Sequence, residues 1–312
     1  MRRYRPVVAV LLGLAVAVGG CSSGSNVATS SAASSSASAP ATPTAAATPT
    51  PVDPEALFNL GIAEGPAWQS FHMNIALSGT IKASFLKTLG NPSWAKLTSD
   101  AVLDGTVIEG DVDAPNLAFH LAITVPANSV TGSAPITGDL IIKNSYMYLK
   151  LSPLGAKYHE VKLGTISKEM GLPVAVPTPG ASALTGIADM TANLRTQLEA
   201  AGVTPAVVGI DQIGGRNAYH IALSVPLDKI NGDIAAAASA APAGEAAVLR
   251  SINIDTVSSG IWIYTDNYEL AQVQIAGASS TVGNLSFTMT LTNFDQPVTI
   301  NVPAASQIAA GL

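Results

Sequence analysis

The chain of 312 residues contains one cysteine, Cys21, so no disulfide can form within it. Charged residues are scarce, at 12%, and aromatic residues scarcer, at 5%. There are 15 Lys and Arg against 21 Asp and Glu, for a net charge of −6. A basic stripe, the electrostatic footprint of nucleic-acid binding, is missing. That argues against nucleic acid as a partner and against direct adhesion to anionic headgroups. The familiar catalytic signatures are missing too. There is no GxSxG elbow, no Walker loop, no GxGxxG after a strand, and no HxH or HExxH spacing. The acidic residues are scattered. Glu109-Gly110-Asp111-Val112-Asp113 could hold a cation, but reads better as an exposed strand end. The chain is expected to be no enzyme and to carry no cofactor and no metal.

What is present begins at the N-terminus. Arg2, Arg3 and Arg5 precede an unbroken apolar run from Val7 to Val18. About a dozen residues make a signal-peptide core and fall short of the roughly 20 that a spanning helix needs. The run closes on Val18-Gly19-Gly20-Cys21, small residues before a cysteine, although Leu is more usual where Val18 stands. Residues 1–20 are expected to be a signal peptide. Cys21 is expected to carry the lipid that anchors the mature chain to the cell membrane, on its extracytoplasmic side. Loss of the three leader arginines takes the net charge from −6 to −9.

Residues 22–54 are nearly all Ser, Ala, Thr and Pro. Such a segment cannot bury enough apolar surface to order itself. It reads as a disordered tether of roughly 30 Å mean span. Residues 55–312 follow as a single domain. Without crosslinks it needs a core large enough to hold itself together in an oxidising compartment.

That domain is strand-rich. Phe71, Met73, Ile75 and Leu77 alternate with His72, Asn74, Ala76 and Ser78. Phe119, Leu121, Ile123 and Val125 alternate with His120, Ala122 and Thr124. Tyr219, Ile221, Leu223 and Val225 alternate with His220, Ala222 and Ser224. Period-two alternation puts one set on each face of a sheet, here one apolar face and one polar or small. Further strands are expected over residues 100–111, 136–143, 146–151, 158–163, 207–213, 259–264, 270–275, 284–292 and 298–302. Tight turns are expected at Lys143-Asn144-Ser145, Gly214-Gly215-Arg216 and Asp266-Asn267. Helices are expected over residues 183–201, 227–240 and 245–252, with a short helix or strand-edge excursion within 82–97. Residues 171–184, rich in Pro and Gly, form a long loop and the candidate lid. The simplest assembly is α+β, one antiparallel sheet with helices on one face.

His72, His120 and His220 share the polar phase of their strands. They read as separate solvent-face residues, since a metal site would want a carboxylate second shell beside them. The apolar face is then the remaining feature. It is aliphatic, and composition leaves open whether it is packed solid or encloses a cavity suited to acyl chains.

Five segments carry a resemblance: Phe71–Gly79; the hairpin Ile141–Leu149 with its Tyr-Met-Tyr; Gly215–Ile221; Gly260–Tyr264; and the closing stretch Thr290–Pro303. With the cysteine pattern at residue 21, they resemble the actinobacterial lipoproteins LppX/LprAFG, which share a fold with the lipoprotein carrier LolA. The resemblance covers about residues 57–303, with insertions at 173–180 and around 235–244. It implies a large curved half-barrel sheet, helices over its concave face and a hydrophobic cavity between them. It further implies an acylated lipid or glycolipid as ligand, carried between or across envelope layers. The lining would then be Phe71, Met73, Ile75, Leu77, Phe119, Leu121, Ile123, Val125, Ile221 and Leu223. The alternative on the same fold is a non-catalytic envelope sensor with a protein partner.

Overall fold

The computed structural model describes residues 53–62, 69–164 and 202–309. The leader, Cys21, the tether up to residue 52, the lid loop 171–184 and the helix expected over 183–201 lie outside the described residues.

The first described residue is Asp53. Asp53 caps helix α1 (Pro54–Ile62), its carboxylate accepting from the Glu55 backbone N–H at 3.0 Å. Pro54 occupies the first helical position, where its missing N–H costs nothing. Leu57 and Phe58 of α1, 1% and 7% exposed, enter the core. At about 1.5–3 kcal/mol per fully buried side chain, they fix α1 to the sheet.

The strands are β1 (Ser70–Ile81), β2 (Ala101–Val102), β3 (Thr106–Asp113), β4 (Ala118–Val125), β5 (Ile136–Lys143), β6 (Tyr146–Leu151) and β7 (His159–Lys162). They continue with β8 (Thr204–Ile213), β9 (Arg216–Ser224), β10 (Thr256–Tyr264), β11 (Leu270–Ser279) and β12 (Gly283–Thr292). All join one open half-barrel sheet in the order β7-β6-β5-β4-β3-β1-β12-β11-β10-β9-β8, with β2 paired to β1. Every pairing between these strands is antiparallel. The described chain leaves the sheet after β7 at one edge and re-enters it as β8 at the other. Two hairpins turn through pairs of left-handed residues, Asn144-Ser145 (φ 55° and 66°) and Gly214-Gly215 (φ 58° and 81°). That geometry matches the right-handed twist of the flanking strands.

Three expectations need correction. The strand expected over 100–111 is broken by a turn at residues 103–105, giving the short β2 before β3. The stretch 298–302 alternates like a strand but joins no ladder. It runs as a strap over the outer face of β4–β6. Ile300 (2% exposed) is buried there against Ala118, Ile141 and Tyr148, and its carbonyl accepts from Lys143 Nζ. The strap then meets the sheet edge, where Tyr158 N donates to Gln307 O at 2.9 Å and Ala309 N to Tyr158 O at 2.8 Å. Nor is the outer face simply polar or small. Besides the strap patch it buries Trp262, Tyr264, Ala218 and Ala271 in a second cluster.

The remaining helices are α2 (Ala83–Thr88), α3 (Leu227–Ala240) and α4 (Ala243–Ser251). Helices over the apolar face are represented among the described residues by α1. The α3–α4 hairpin pairs with itself instead, burying Ala238 and Ala246 to 1% and 2% exposure, and puts no residue into the three core clusters. Its alanine-rich surface is too small to compete for the core.

Glycine sets the close approach between β3 and β4. A Cβ on Gly110 would stand 1.9 Å from the His120 carbonyl oxygen. Gly110→Ala is therefore expected to cost about 3 kcal/mol, read as a lower urea midpoint. Gly232 lies in α3 with nothing near its missing Cβ. Gly232→Ala is expected to raise stability by about 1 kcal/mol.

Candidate functional site

The ten residues named from the sequence fall on one face of the sheet. Strand register aligns their side chains into rows across the strands. One row runs Val207, Ile221, Ile261, Val273, Met289, Ile75, Ile108, Ile123, Gly138 and Leu151, crossing ten strands from β8 to β6. A second runs Leu291, Met73, Gly110, Leu121, Leu140 and Leu149. A third runs Phe71, Val112, Phe119, Ile142 and Met147. Leu77 and Val125 extend the face toward the sheet end reached by the start of β3, and Leu223 pairs with Ser259 at the same end. Direct cross-strand neighbours stand about 5 Å apart, so these rows are continuous apolar surface.

The two halves of that face differ in cover. On the β8–β1 side much of it is packed, although Ile275 and Leu285, each 38% exposed, stay open at the end that carries Leu77. Ile221 (0% exposed), Ile263, Met289 and Leu291 are sealed with Leu57 and Phe58 of α1 into one packed cluster. Ile75 belongs to that cluster, while Phe71, Met73, Leu77 and Leu223 pack against it half-buried. On the β4–β6 side only Leu121, at 9% exposure, is buried. Phe119, Ile123, Val125, Leu140, Ile142, Met147, Leu149 and Leu151 are all half-buried, and none of them belongs to a described core cluster. Among the described residues, this half is a sheet surface three strands wide that no core cluster takes up. Phe119 to Val125 spans about 20 Å along the strand.

Two open grooves are found elsewhere. One, of about 480 Å³, is lined by small residues such as Ser78, Ala276 and Ser286. The other, of about 440 Å³, is lined by Arg216, Tyr264, Glu269 and Phe294 among others. Neither is lined by any of the ten residues.

The histidines are more ordered than the sequence suggested. Each lies beside an aspartate from a neighbouring strand: His72 Nδ1 to Asp111 at 2.9 Å, His120 Nε2 to Asp139 at 3.7 Å, and His220 Nδ1 to Asp211 at 3.2 Å. His220 also stacks on Trp262, whose Nε1 donates to Asp211 at 2.8 Å. Burial works to raise the Asp139 pKa, but the Lys150 ammonium, bonded to it, outweighs burial and holds it below the ordinary value. These pairs tie strands together on the outer face; His72, Asp111 and His120 share one row across β1, β3 and β4, while His220 lies apart on β9. Among the described residues no group of three or more His, Cys, Asp or Glu side chains is placed to hold a metal ion. No sequence motif announces the pairs, because their partners are set by strand order.

A clamp holds the opposite end of β9–β11. The Arg216 guanidinium lies 3.7 Å from the Tyr264 ring centroid, 2.7 Å from Asp266 and 3.6 Å from Glu269. Burial pushes the Glu269 carboxyl above its ordinary range, opposed by a hydrogen bond from Asn267 and by the charge of Arg216.

No protein-family model matches the chain, and no curated protein matches it in sequence. Solved structures do. One is the lipoprotein LppX of Mycobacterium tuberculosis, at 12% identity over 75% of this chain and 91% of that one, with a TM-score of 0.38. Another is LprF of Mycobacterium bovis, at 16% identity over 81% and 99%, with a TM-score of 0.40. A third is a LolA superfamily protein of Nitrosomonas europaea, at 10% identity over 79% and 96%, with a TM-score of 0.25.

The clamp yields a pH prediction. A carboxyl whose folded pKa is raised adds stability in acid and loses it as pH rises through that pKa. Glu269→Gln removes that loss, while Arg216 keeps Asp266 and the Tyr264 ring. Relative to wild type, the variant is expected to gain stability as pH rises above the ordinary glutamate value of 4.5. Thermal unfolding between pH 5 and 8 checks this. A wild type that gains on the variant with rising pH would show that the ion pair outweighs burial.

Proposed function

We propose that this chain is a non-catalytic, membrane-anchored extracytoplasmic lipoprotein. It binds acylated lipids or glycolipids on the apolar face of its half-barrel and carries them between envelope layers. The observation that carries this reading is the uneven cover of that face. One half packs a core cluster with α1, and the other presents aliphatic side chains that no described core cluster absorbs. Large contiguous apolar surface of this kind marks a ligand or partner site. Affinity would come from burial, at about 0.8 kcal/mol per methylene taken out of water. An acyl chain laid along β4, between its neighbours, meets Phe119, Ile123 and Val125 in succession.

The rest of the molecule fits a carrier. Its acidic, weakly charged surface gives anionic headgroups little to adhere to. Attachment then falls to the lipid on Cys21, and the tether lets the domain turn above the membrane. The outer-face histidines are committed to neighbouring aspartates, which leaves them a structural role. The similarity to LppX and LprF agrees with the resemblance read from the segments Phe71–Gly79 and Thr290–Pro303.

Native mass spectrometry of the chain from residue 53, produced without the leader in a lipid-rich bacterium, tests the reading. An acylated species is expected to co-purify and to be lost in Ile123→Asp, a substitution at a half-buried position that leaves the α1 core intact. A folded wild type that stays empty after incubation with host lipids, yet retains one protein partner, would replace the carrier with the sensor.

A further inference from the structure

The apolar face contains one anomaly. Among the described residues Thr106 Oγ1 is the buried side-chain polar atom left without a hydrogen-bond partner. Thr106 is 4% exposed and opens β3. Register places it on the apolar face, directly opposite Leu77, in the row Ile275, Phe287, Leu77, Thr106. The serine of the same row four strands away, Ser259, donates its hydroxyl to the Leu223 carbonyl.

The position of Thr106 is fixed by the turn before it. Its N–H donates to Leu103 O at 2.9 Å, Leu103 N donates to Gly79 O at 2.9 Å, and Gly79 N donates to Asp104 Oδ1 at 2.7 Å. The backbone is therefore satisfied and only the hydroxyl is not. An unpaired buried hydroxyl costs about 1–3 kcal/mol. Valine has the same shape and would avoid that cost, so the hydroxyl calls for a partner that arrives from outside.

Its place on the sheet says what that partner is. Thr106 stands at one end of the apolar face. From it, β3 runs through half-buried Ile108, Gly110 and buried Val112 over about 20 Å, beside the half-buried Val125, Ile123 and Phe119 of β4. A ligand with a single acceptor at the head of a long hydrocarbon chain matches that spacing. We propose that Thr106 Oγ1 donates a hydrogen bond to the ester carbonyl of a bound acyl lipid, fixing the carbonyl at the β3 start and the chain along the apolar rows toward Val112 and Phe119. This rests on the lipid-binding reading and deepens it. It makes the protein selective for ester-linked over ether-linked chains.

The test uses the mature chain from residue 21 with Cys21→Ser, and two probes delivered from vesicles. These are dipalmitoyl phosphatidylglycerol and its dihexadecyl ether analogue, which lacks both carbonyls. Wild type is expected to bind the ester about three- to tenfold more tightly, the worth of one hydrogen bond. Thr106→Val is expected to lose that preference, while keeping the ether affinity and a melting temperature at or above wild type. Thr106→Ser is expected to retain the preference. Equal preference in wild type and Thr106→Val would overturn the assignment. So would a lowered melting temperature in Thr106→Val with affinity for both lipids reduced alike, which would mark the hydroxyl as structural. If neither lipid binds wild type, the carrier reading itself fails, and this assignment falls with it.

Discussion

The ladder between β1 and β12 joins the two ends of the described sheet sequence. It makes ten residue pairs, from His72 with Thr292 to Ile81 with Gly283. On one side of it lie β3 to β7, built by successive local hairpins. On the other lie β8 to β11. Without this one pairing of strands some two hundred residues apart, there would be two smaller sheets, each with an uncovered apolar face. With it, the row through Ile75 and Met289 runs unbroken from β8 to β6. Such a distant contact must close a long loop before it is rewarded, so its formation is slow relative to the hairpins. The short glycine contacts across β1–β12 and β3–β4 let the backbones approach there as larger residues would not.

The division of the apolar face follows from what is left to cover it. α1 packs Leu57 and Phe58 into the core cluster of the β8–β1 half. The C-terminal strap goes to the other surface, where Ile300 shields Ile141 and Tyr148. α3 and α4 lie against each other, bury Ala238 and Ala246, and put no residue into the core clusters. Among the described residues, no core cluster includes the inner surface of β4–β6. That asymmetry is the feature on which the proposed lipid binding rests. The unpaired hydroxyl of Thr106 lies at the margin of the same surface.

Much of this was legible in the sequence. Alternation in Phe71–Leu77, Phe119–Val125 and Tyr219–Leu223 gave the strands and the shared face, because a period of two is a direct property of the pleat. Asp53-Pro54-Glu55 is also a helix start, but it follows a run of Pro, Thr and Ala and was absorbed into the tether. The stretch Val298–Val302 alternates because one side of the strap faces Ile141, which period alone cannot tell from a strand. The His–Asp pairs and the split between the two halves of the apolar face were not legible at all. Both depend on which strand lies beside which, and β1 takes its neighbours from β3 and from the far end of the chain.

The central claim is that the β4–β6 half of the apolar face is where acyl chains lie. Photo-crosslinking with a diazirine-bearing acyl lipid, followed by peptide mapping, tests it most directly. The account predicts adducts concentrated on residues 118–125, 136–143 and 146–151, at the apolar positions of each strand. Adducts on the outer-face residues of the same strands, or spread evenly over the chain, would contradict it.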